Sequence, residues 1–309
     1  MSKNTDLSLH TIPVELVYRI LDFLDELTIF SACRNVCARL NTITNTYHRY
    51  QRLSTVYLGG NQVGIEKVKH LCNVLRHNKT IVNLCLQYNQ YDSEEAKCIS
   101  SVLLHDQIIV TLQFHNNNIG PQGTEYLSNA LLKNTTLTTL NLANNYIGDE
   151  GAGHLSKLLV ENKTLTTLDL RLNQIILQGA QYLADGLSEN ETLRILHLSR
   201  NNIGDQGVKY LSNALIHNKT LTTLGLEGIQ LSDQGAEYIV NVLLQNRTLM
   251  TLRLRENRVS AQKAERLIDA LMDIETPFAL YLDYNQIDND GKRYIKNALQ
   301  RNSRIKITL

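Results

Sequence analysis

A repeat of 28 residues dominates the chain. The segment LTTLNLANNYIG that begins at Leu137 returns as LTTLDLRLNQII at Leu165 and as LRILHLSRNNIG at Leu193. Asparagines recur at the same spacing, and Ile229 interrupts them at one position. The repeated asparagines are Asn61, Asn89, Asn117, Asn145, Asn173, Asn201, Asn257 and Asn285. Nine units without an insertion therefore extend from about residue 53 to residue 304.

Each unit has two halves with different periodicities. The first half has the pattern L-x-x-L-x-L-x-x-N-x-I, in which Leu140 and Leu142 alternate with polar residues, as in a short strand. The second half, from Gly148 in the same unit, spaces its apolar residues for one buried helix face. These residues are Ala152, Leu155, Leu158 and Leu159. The sequence predicts alternating strands and helices.

This pattern resembles the leucine-rich repeat, and its length and full helix resemble the ribonuclease-inhibitor type. The resemblance implies an α/β horseshoe over residues 53–309, with a parallel sheet on the concave face and helices on the convex face. The repeated asparagine resembles the ladder residue of that family, which bonds backbone groups where the chain leaves the strand. We expect the turn at residues 227–231 to be irregular, because Ile229 replaces that asparagine.

Other polar residues keep the same register at the two ends of the helices. Asp149, Asp205 and Asp233 stand where a helix N-cap is expected. Near the helix ends, Asn is expected to adopt a left-handed conformation. These asparagines are Asn134, Asn162, Asn190, Asn218 and Asn246. Together with Asn78, they begin N-x-T sequons, which their register with the repeat explains structurally better than glycosylation does.

Residues 8–50 do not follow the repeat, and they resemble an F-box. The matching groups are Ile12-Pro13-Val14-Glu15-Leu16, Ile20-Leu21, Leu24-Asp25 and Val36-Cys37, in the order and spacing of that family. Thr28 and Leu40 depart from it, because the family usually has Asp and an aromatic residue there. A helical cap on the first repeat is the simpler alternative, and an F-box can also serve as the cap.

An F-box before leucine-rich repeats resembles the substrate receptors of SCF-type cullin–RING ubiquitin ligases. The resemblance implies that the F-box-like domain binds a Skp-family adaptor and, through it, a cullin, while the horseshoe binds a protein substrate. The residues carried over as adaptor-binding or F-box core are Pro13, Leu16, Ile20, Leu24, Ile29 and Val36. The alternatives are a scaffold or inhibitor similar to ribonuclease inhibitor and a GTPase activator with the same type of repeat.

Motifs for catalysis or cofactor binding do not stand out. The sequence contains no G-x-x-x-x-G-K-[ST], H-E-x-x-H or C-x-x-C motif, so we predict a protein that is not an enzyme, with no cofactor and no metal. Cys85 and His115 are the one conceivable nucleophile–base pair, on neighbouring strands. Five cysteines and no apolar leader or membrane-length segment favour a cytoplasmic protein, with the nucleus as a second location.

The concave face is the expected binding surface, because three residue columns there vary while the framework repeats. Neutral drift on a solvated face would also produce such variation. However, charged and aromatic residues concentrate in the C-terminal half, and these types anchor protein interfaces. Mixed charge signs and a net charge of +1 favour a protein partner over nucleic acid or membrane. The predicted partner-binding residues are Arg171, His197, Arg200, Glu227, Arg253, Arg255, Tyr281, Asp283 and Tyr284.

Overall fold

A computed structural model describes residues 54–60, 64–76 and 78–309. Within these ranges the chain alternates between short strands and helices. The strands are β1 Thr55–Tyr57, β2 Asn83–Cys85, β3 Thr111–Gln113, β4 Thr139–Asn141, β5 Thr167–Asp169, β6 Ile195–His197, β7 Thr223–Gly225, β8 Thr251–Arg253, β9 Phe278–Tyr281 and β10 Ile305–Thr308. The helices are α1 Ile65–Leu75, α2 Ser93–Leu103, α3 Gly120–Leu131, α4 Gly148–Glu161, α5 Leu177–Glu189, α6 Gly204–His217, α7 Asp233–Gln245, α8 Ala261–Leu271 and α9 Asn289–Leu299.

The strands form one parallel sheet in chain order from β1 to β10. Successive strands pair with an offset of one repeat, so Leu140 of β4 lies between Leu112 of β3 and Leu168 of β5. This arrangement confirms the predicted α/β architecture of parallel strands and repeated helices. Strand β10 follows the nine predicted units and starts a further turn of chain. It pairs Ile305 with Phe278, which are 27 residues apart instead of 28, and Ile305 is buried against the last repeat.

The core lies between the sheet and the helix layer. In the fourth repeat the strand leucines Leu140 and Leu142 are fully buried, as are Ala152, Leu155 and Leu158 of α4. The equivalent residues of other repeats join them in one continuous apolar cluster. A single repeat has no second layer to cover its apolar face, so stacking between repeats stabilises each one.

The side chains of the predicted asparagine ladder join each repeat to the one before it, as Asn201 shows. The Nδ2 group of Asn201 donates to the backbone oxygens of Leu170 (2.9 Å) and Leu198 (2.8 Å). Its Oδ1 accepts from the backbone N–H groups of Asn173 (2.9 Å) and Ile175 (3.0 Å). The side chain therefore satisfies backbone groups in its own repeat and in the preceding one. Asn61 lies outside the described residues.

The turn around Ile229 is regular, so the expected irregularity at residues 227–231 was wrong. Gly228 and Gln230 have φ angles of 62° and 65°, close to the values of 59° and 58° two repeats earlier. Ile229 donates its N–H to Oδ1 of Asn257 at 3.2 Å, and its side chain is fully buried. The conformation of this turn is held by the asparagine of the following repeat, so the turn does not need an asparagine of its own.

The asparagines near the helix ends form a second ladder, and they are not left-handed as we expected. Asn162 has φ −76° and ψ 132°, which is an extended conformation. Its Nδ2 group donates to the oxygen of Leu131 in the preceding repeat at 2.7 Å, while its Oδ1 accepts from Leu165 N–H at 2.7 Å. Burial and these bonds support the structural interpretation of the sequons.

The aspartates at the helix starts act between repeats, so their assignment as N-caps of their own helices was wrong. Asp149 Oδ1 accepts the N–H of Ile176, which is the N-cap residue of the next helix, at 2.8 Å. Asp205 makes the same 2.8 Å bond to Ser232, and Asp233 makes it to Ser260. The carboxylate thus stabilises the helix start of the repeat that follows it.

We predict that Asn201→Ala lowers the free energy of unfolding by roughly 1–3 kcal/mol, because it leaves buried backbone groups without a partner. Urea unfolding followed by circular dichroism measures this change. The neighbouring Asn202 has an exposed side chain, so Asn202→Ala is a matched control that should change stability by less than about 0.5 kcal/mol. Equal unfolding curves for the two variants would contradict the role assigned to the ladder.

Ile229→Asn should be tolerated or mildly stabilising. The regular backbone places a new amide near the N–H groups of Asn201 and Ile203, and each hydrogen bond contributes roughly 0.5–1.5 kcal/mol against the lost apolar burial. Ile229→Asp is the control, because a buried carboxylate lacks the Nδ2 donor and should be clearly destabilising. The measurement is again urea unfolding, and equal losses in both variants would show that the apolar side chain matters more than the missing amide.

Candidate partner-binding surface on the concave face

Three columns of residues form the concave face, as the sequence predicted. The middle column is the third position of strands β1 to β8 and the last residue of β9, and the second column lies two residues further along the chain. The turn column follows directly. It has positive φ in every repeat: Gly60, Tyr88, Asn116, Asn144, Leu172, Arg200, Gly228, Glu256 and Tyr284. Such a conformation is uncommon for residues other than Gly or Asn. In the described repeats other than the seventh, the ladder asparagine comes next in the chain, and its bonds help to hold the turn that presents this column.

The arginines of the predicted site are each paired with a carboxylate of the same face. Arg171 bonds Asp169 through Nε at 2.9 Å and through Nη2 at 2.6 Å. The other pairs are Arg200 Nη2 with Glu256 Oε1 at 3.0 Å, Arg253 Nη1 with Glu227 Oε1 at 3.8 Å, and Arg255 Nε with Asp283 Oδ2 at 2.6 Å. The surface is therefore close to neutral over short distances.

Asp169 and Glu256 are missing from the residues predicted for the site. Asp169 is buried, and its hydrogen bonds raise the pKa of the Arg171 guanidinium. Glu256 belongs to the turn column and reaches Arg200 across a whole repeat. Their positions in the columns could have identified both residues. The sequence alone does not show which arginine each carboxylate pairs with.

The two predicted tyrosines have different environments. The guanidinium carbons of Arg253 and Arg255 lie 4.9 and 4.8 Å from the ring centre of Tyr281. The ring of Tyr281 therefore makes cation–π contacts with both guanidinium groups and helps to position them. Tyr284 is 83% exposed, so its ring is available to a partner. The structure brings Arg253, Arg255, Tyr281 and Asp283 into one cluster.

The pKa values of Asp283 and His197 both lie below the ordinary values of these side chains. Burial raises the pKa of Asp283, but the hydrogen bonds from Thr308 and Arg255 together lower it, so the pKa lies below its ordinary value. Burial lowers the pKa of His197, against the opposite effect of the Asp169 carboxylate. The imidazole of His197 lies above Gly225, where a Cβ atom would come within 2.7 Å of its Nδ1. His197 is thus neutral near pH 7 and covers bare backbone.

The N-terminal half of the face is uncharged. Asn141 donates to Gln113 Oε1 at 2.9 Å, and Asn144 donates to Asn116 Oδ1 at 2.7 Å. His115 makes an edge-to-face contact with Tyr88, with ring centres 5.5 Å apart. These amides and rings provide neutral hydrogen-bonding groups beside the charged half.

The pair Cys85 and His115 does not have the character of a nucleophile and its base. Burial raises the pKa of the Cys85 thiol, and burial lowers the pKa of His115. The Nδ1 atom of His115 has no hydrogen-bond partner among the described residues. Both groups are therefore neutral near pH 7, with no bond that activates the thiol.

A groove with a volume of about 510 Å³ connects the two halves of the face. Amide and aromatic residues line its N-terminal part, and its C-terminal part is lined by charged residues, which are Arg171, Arg200, Glu227, Arg255 and Glu256. Within the part of the chain that the structure describes, no cluster of His, Cys, Asp and Glu could hold a metal ion. None of the described helices has the length and apolar character needed to cross a membrane.

A family model described as Leucine Rich repeat matches residues 133–156, 161–184 and 189–212. No curated protein matches the chain. Among solved structures, it is similar to the leiomodin-1 actin-binding site 2, with 25% identity over 44% of this chain and 79% of that chain and a TM-score of 0.40. The tropomodulin C-terminal domain of Caenorhabditis elegans shows 15% identity over 45% of this chain and 84% of that chain, with a TM-score of 0.39. The chain therefore contains leucine-rich repeats, which are arranged as an α/β horseshoe.

Proposed function

We propose that this chain is a protein-binding adaptor, and that it is the substrate-recognition subunit of an SCF-type cullin–RING ubiquitin ligase. In this role it has no catalytic activity of its own and works in the cytoplasm or the nucleus. Leucine-rich repeats imply a protein-binding scaffold. The observation that carries the proposal is the concave face, where paired arginines, carboxylates and tyrosines stand on a regular parallel sheet.

The charge pattern of the concave face favours a protein as the partner. A surface that binds nucleic acid needs an excess of cations to neutralise phosphates. Here each arginine of the predicted site already faces a carboxylate of this chain. Arginine and tyrosine are enriched at the energetic centres of protein interfaces. A partner with neutral and mixed-charge groups would fit this face better than a polyanion.

The ligase part of the proposal rests on the F-box resemblance of residues 8–50. The residues predicted as adaptor-binding or F-box core are Pro13, Leu16, Ile20, Leu24, Ile29 and Val36. They lie outside the described residues, so their role stays a prediction from the sequence. Under this proposal they bind a Skp-family adaptor or form the core of the F-box, and the adaptor connects the chain to a cullin.

Deleting residues 1–45 should abolish co-purification of the Skp-family adaptor and the cullin. The repeats should remain folded, because each repeat depends mainly on its neighbours. Leu16→Asp with Ile20→Asp in the full chain should have the same effect, since both changes place charge on the predicted apolar face. Affinity purification with quantitative mass spectrometry measures the loss, and circular dichroism checks the repeats. An intact chain that binds no adaptor at micromolar concentration would leave only a capping role for this segment.

The double change Arg253→Ala with Tyr281→Ala should weaken substrate capture by roughly thirtyfold or more, because it removes an arginine and the ring that positions it. Proximity labelling followed by pull-down measures proteins other than the ligase subunits. Lys157→Ala with Tyr210→Ala is the matched control, because both residues are exposed on the outer helices α4 and α6. If the control pair loses these proteins and the concave pair keeps them, the binding face lies on the other side.

A further inference from the structure

The seventh repeat, residues 221–248, leaves a gap in the side chains of the concave face at Gly228, while His197 covers its other glycine in these columns, Gly225. It has Gly225 in the middle column and Gly228 in the turn column, so only Glu227 carries a side chain in its three columns. The other described repeats do not have glycine in both of these columns. The groove of about 510 Å³ passes along this repeat, and Glu227, Arg200 and Glu256 line it there.

Side chains from the neighbouring repeats cross this gap. Arg200 of the sixth repeat reaches Glu256 of the eighth, with Nη2 at 3.0 and 3.1 Å from the two carboxylate oxygens. A Cβ atom at Gly228 would lie 3.4 Å from Arg200 Cγ and 3.8 Å from Glu256 Oε2, so the ion pair spans this glycine. The two side chains are 57% and 46% exposed. An ion pair this exposed stabilises little, and a partner can displace it easily.

A donor beside the gap has no acceptor in the described chain. The Nε–H group of Arg253 is buried and unpaired, and its Nη1 lies 3.8 Å from Glu227 Oε1. The Arg253 guanidinium already lies against the ring of Tyr281. A buried donor without an acceptor is costly, so an incoming backbone carbonyl would gain a bond at this point.

We propose that this part of the groove binds an aromatic side chain of the partner protein, which lies over the bare backbone of Gly228 after Arg200 separates from Glu256. The released guanidinium would stack on the ring, as Arg253 and Arg255 do on Tyr281. An acidic anchor would face Glu227 and Glu256, and a basic one would face Arg200 and Arg253. A neutral planar group avoids both conflicts.

This proposal rests on the partner-binding role of the concave face and is independent of the ligase assignment. The test uses the full chain labelled with ¹⁵N-glycine, which contains 16 glycines. N-acetyltryptophanamide is titrated as the probe while amide signals are recorded by NMR. The signals of Gly225 and Gly228 should shift and saturate in the millimolar range, as expected for a ligand of this size. N-acetylleucinamide and N-acetylaspartamide should produce much smaller shifts.

Two variants connect the shifts to the gap. Gly228→Asn should weaken the probe's effect at Gly225 at least tenfold. The protein should still fold, because Asn116 and Asn144 occupy the same turn position with φ 55° and 53°. Gly60→Asn, the same change in the first repeat, is the matched control and should leave binding unchanged. Glu256→Gln should tighten binding roughly two- to fivefold, because the ion pair no longer competes with the probe.

The proposal is overturned if the glycine signals of the seventh repeat do not move, or if the leucine or aspartate probe moves them as strongly. It is also overturned if Gly228→Asn binds the probe like the unmodified chain. None of these results depends on the Skp-family adaptor, so they can be distinguished from a failure of the ligase assignment.

Discussion

Side-chain amides that bond to backbone are the interaction on which this structure depends. A parallel repeat must turn sharply at both ends of each strand, and every turn leaves buried N–H and C=O groups that water cannot reach. An asparagine provides both a donor and an acceptor from one short side chain. Asn201 satisfies the turn after the strand, while Asn162 satisfies the turn before it. If these two sets of bonds were absent, stacking of the leucines would bury backbone groups of the turns that have no hydrogen-bond partner.

The same bonds explain why the concave face is free to vary. The ladder asparagine follows the turn column directly, so the backbone conformation of that column does not depend on its own side chains. Tyrosine, leucine, arginine and glutamate therefore all occupy positions with positive φ. Because the framework is held elsewhere, side chains such as Arg171 and Arg255 can form ion pairs that position them for a partner.

The seventh repeat shows how far the framework tolerates change. It lacks the ladder asparagine and two concave side chains, yet its turn has the same geometry as the others. Asn257 bonds the backbone of Ile229, as each ladder asparagine bonds the repeat before it, and His197 covers Gly225. Stability in a stacked repeat protein is shared between neighbours, so one repeat can lose features of the common pattern while its turn keeps its geometry.

The sequence by itself determined the repeat length, the strand and helix halves, the buried leucines and the ladder asparagines, because hydrophobic period and register are local properties. The F-box-like segment lies outside the described residues and stays a prediction. Only the tertiary structure decided which groups meet across repeats. Asp149 caps the next helix, Tyr281 lies beneath two guanidinium groups, and Arg200 reaches Glu256 two repeats away. These contacts depend on side-chain rotamers and on the offset between stacked strands. The repeat pattern of the sequence indicates neither of them.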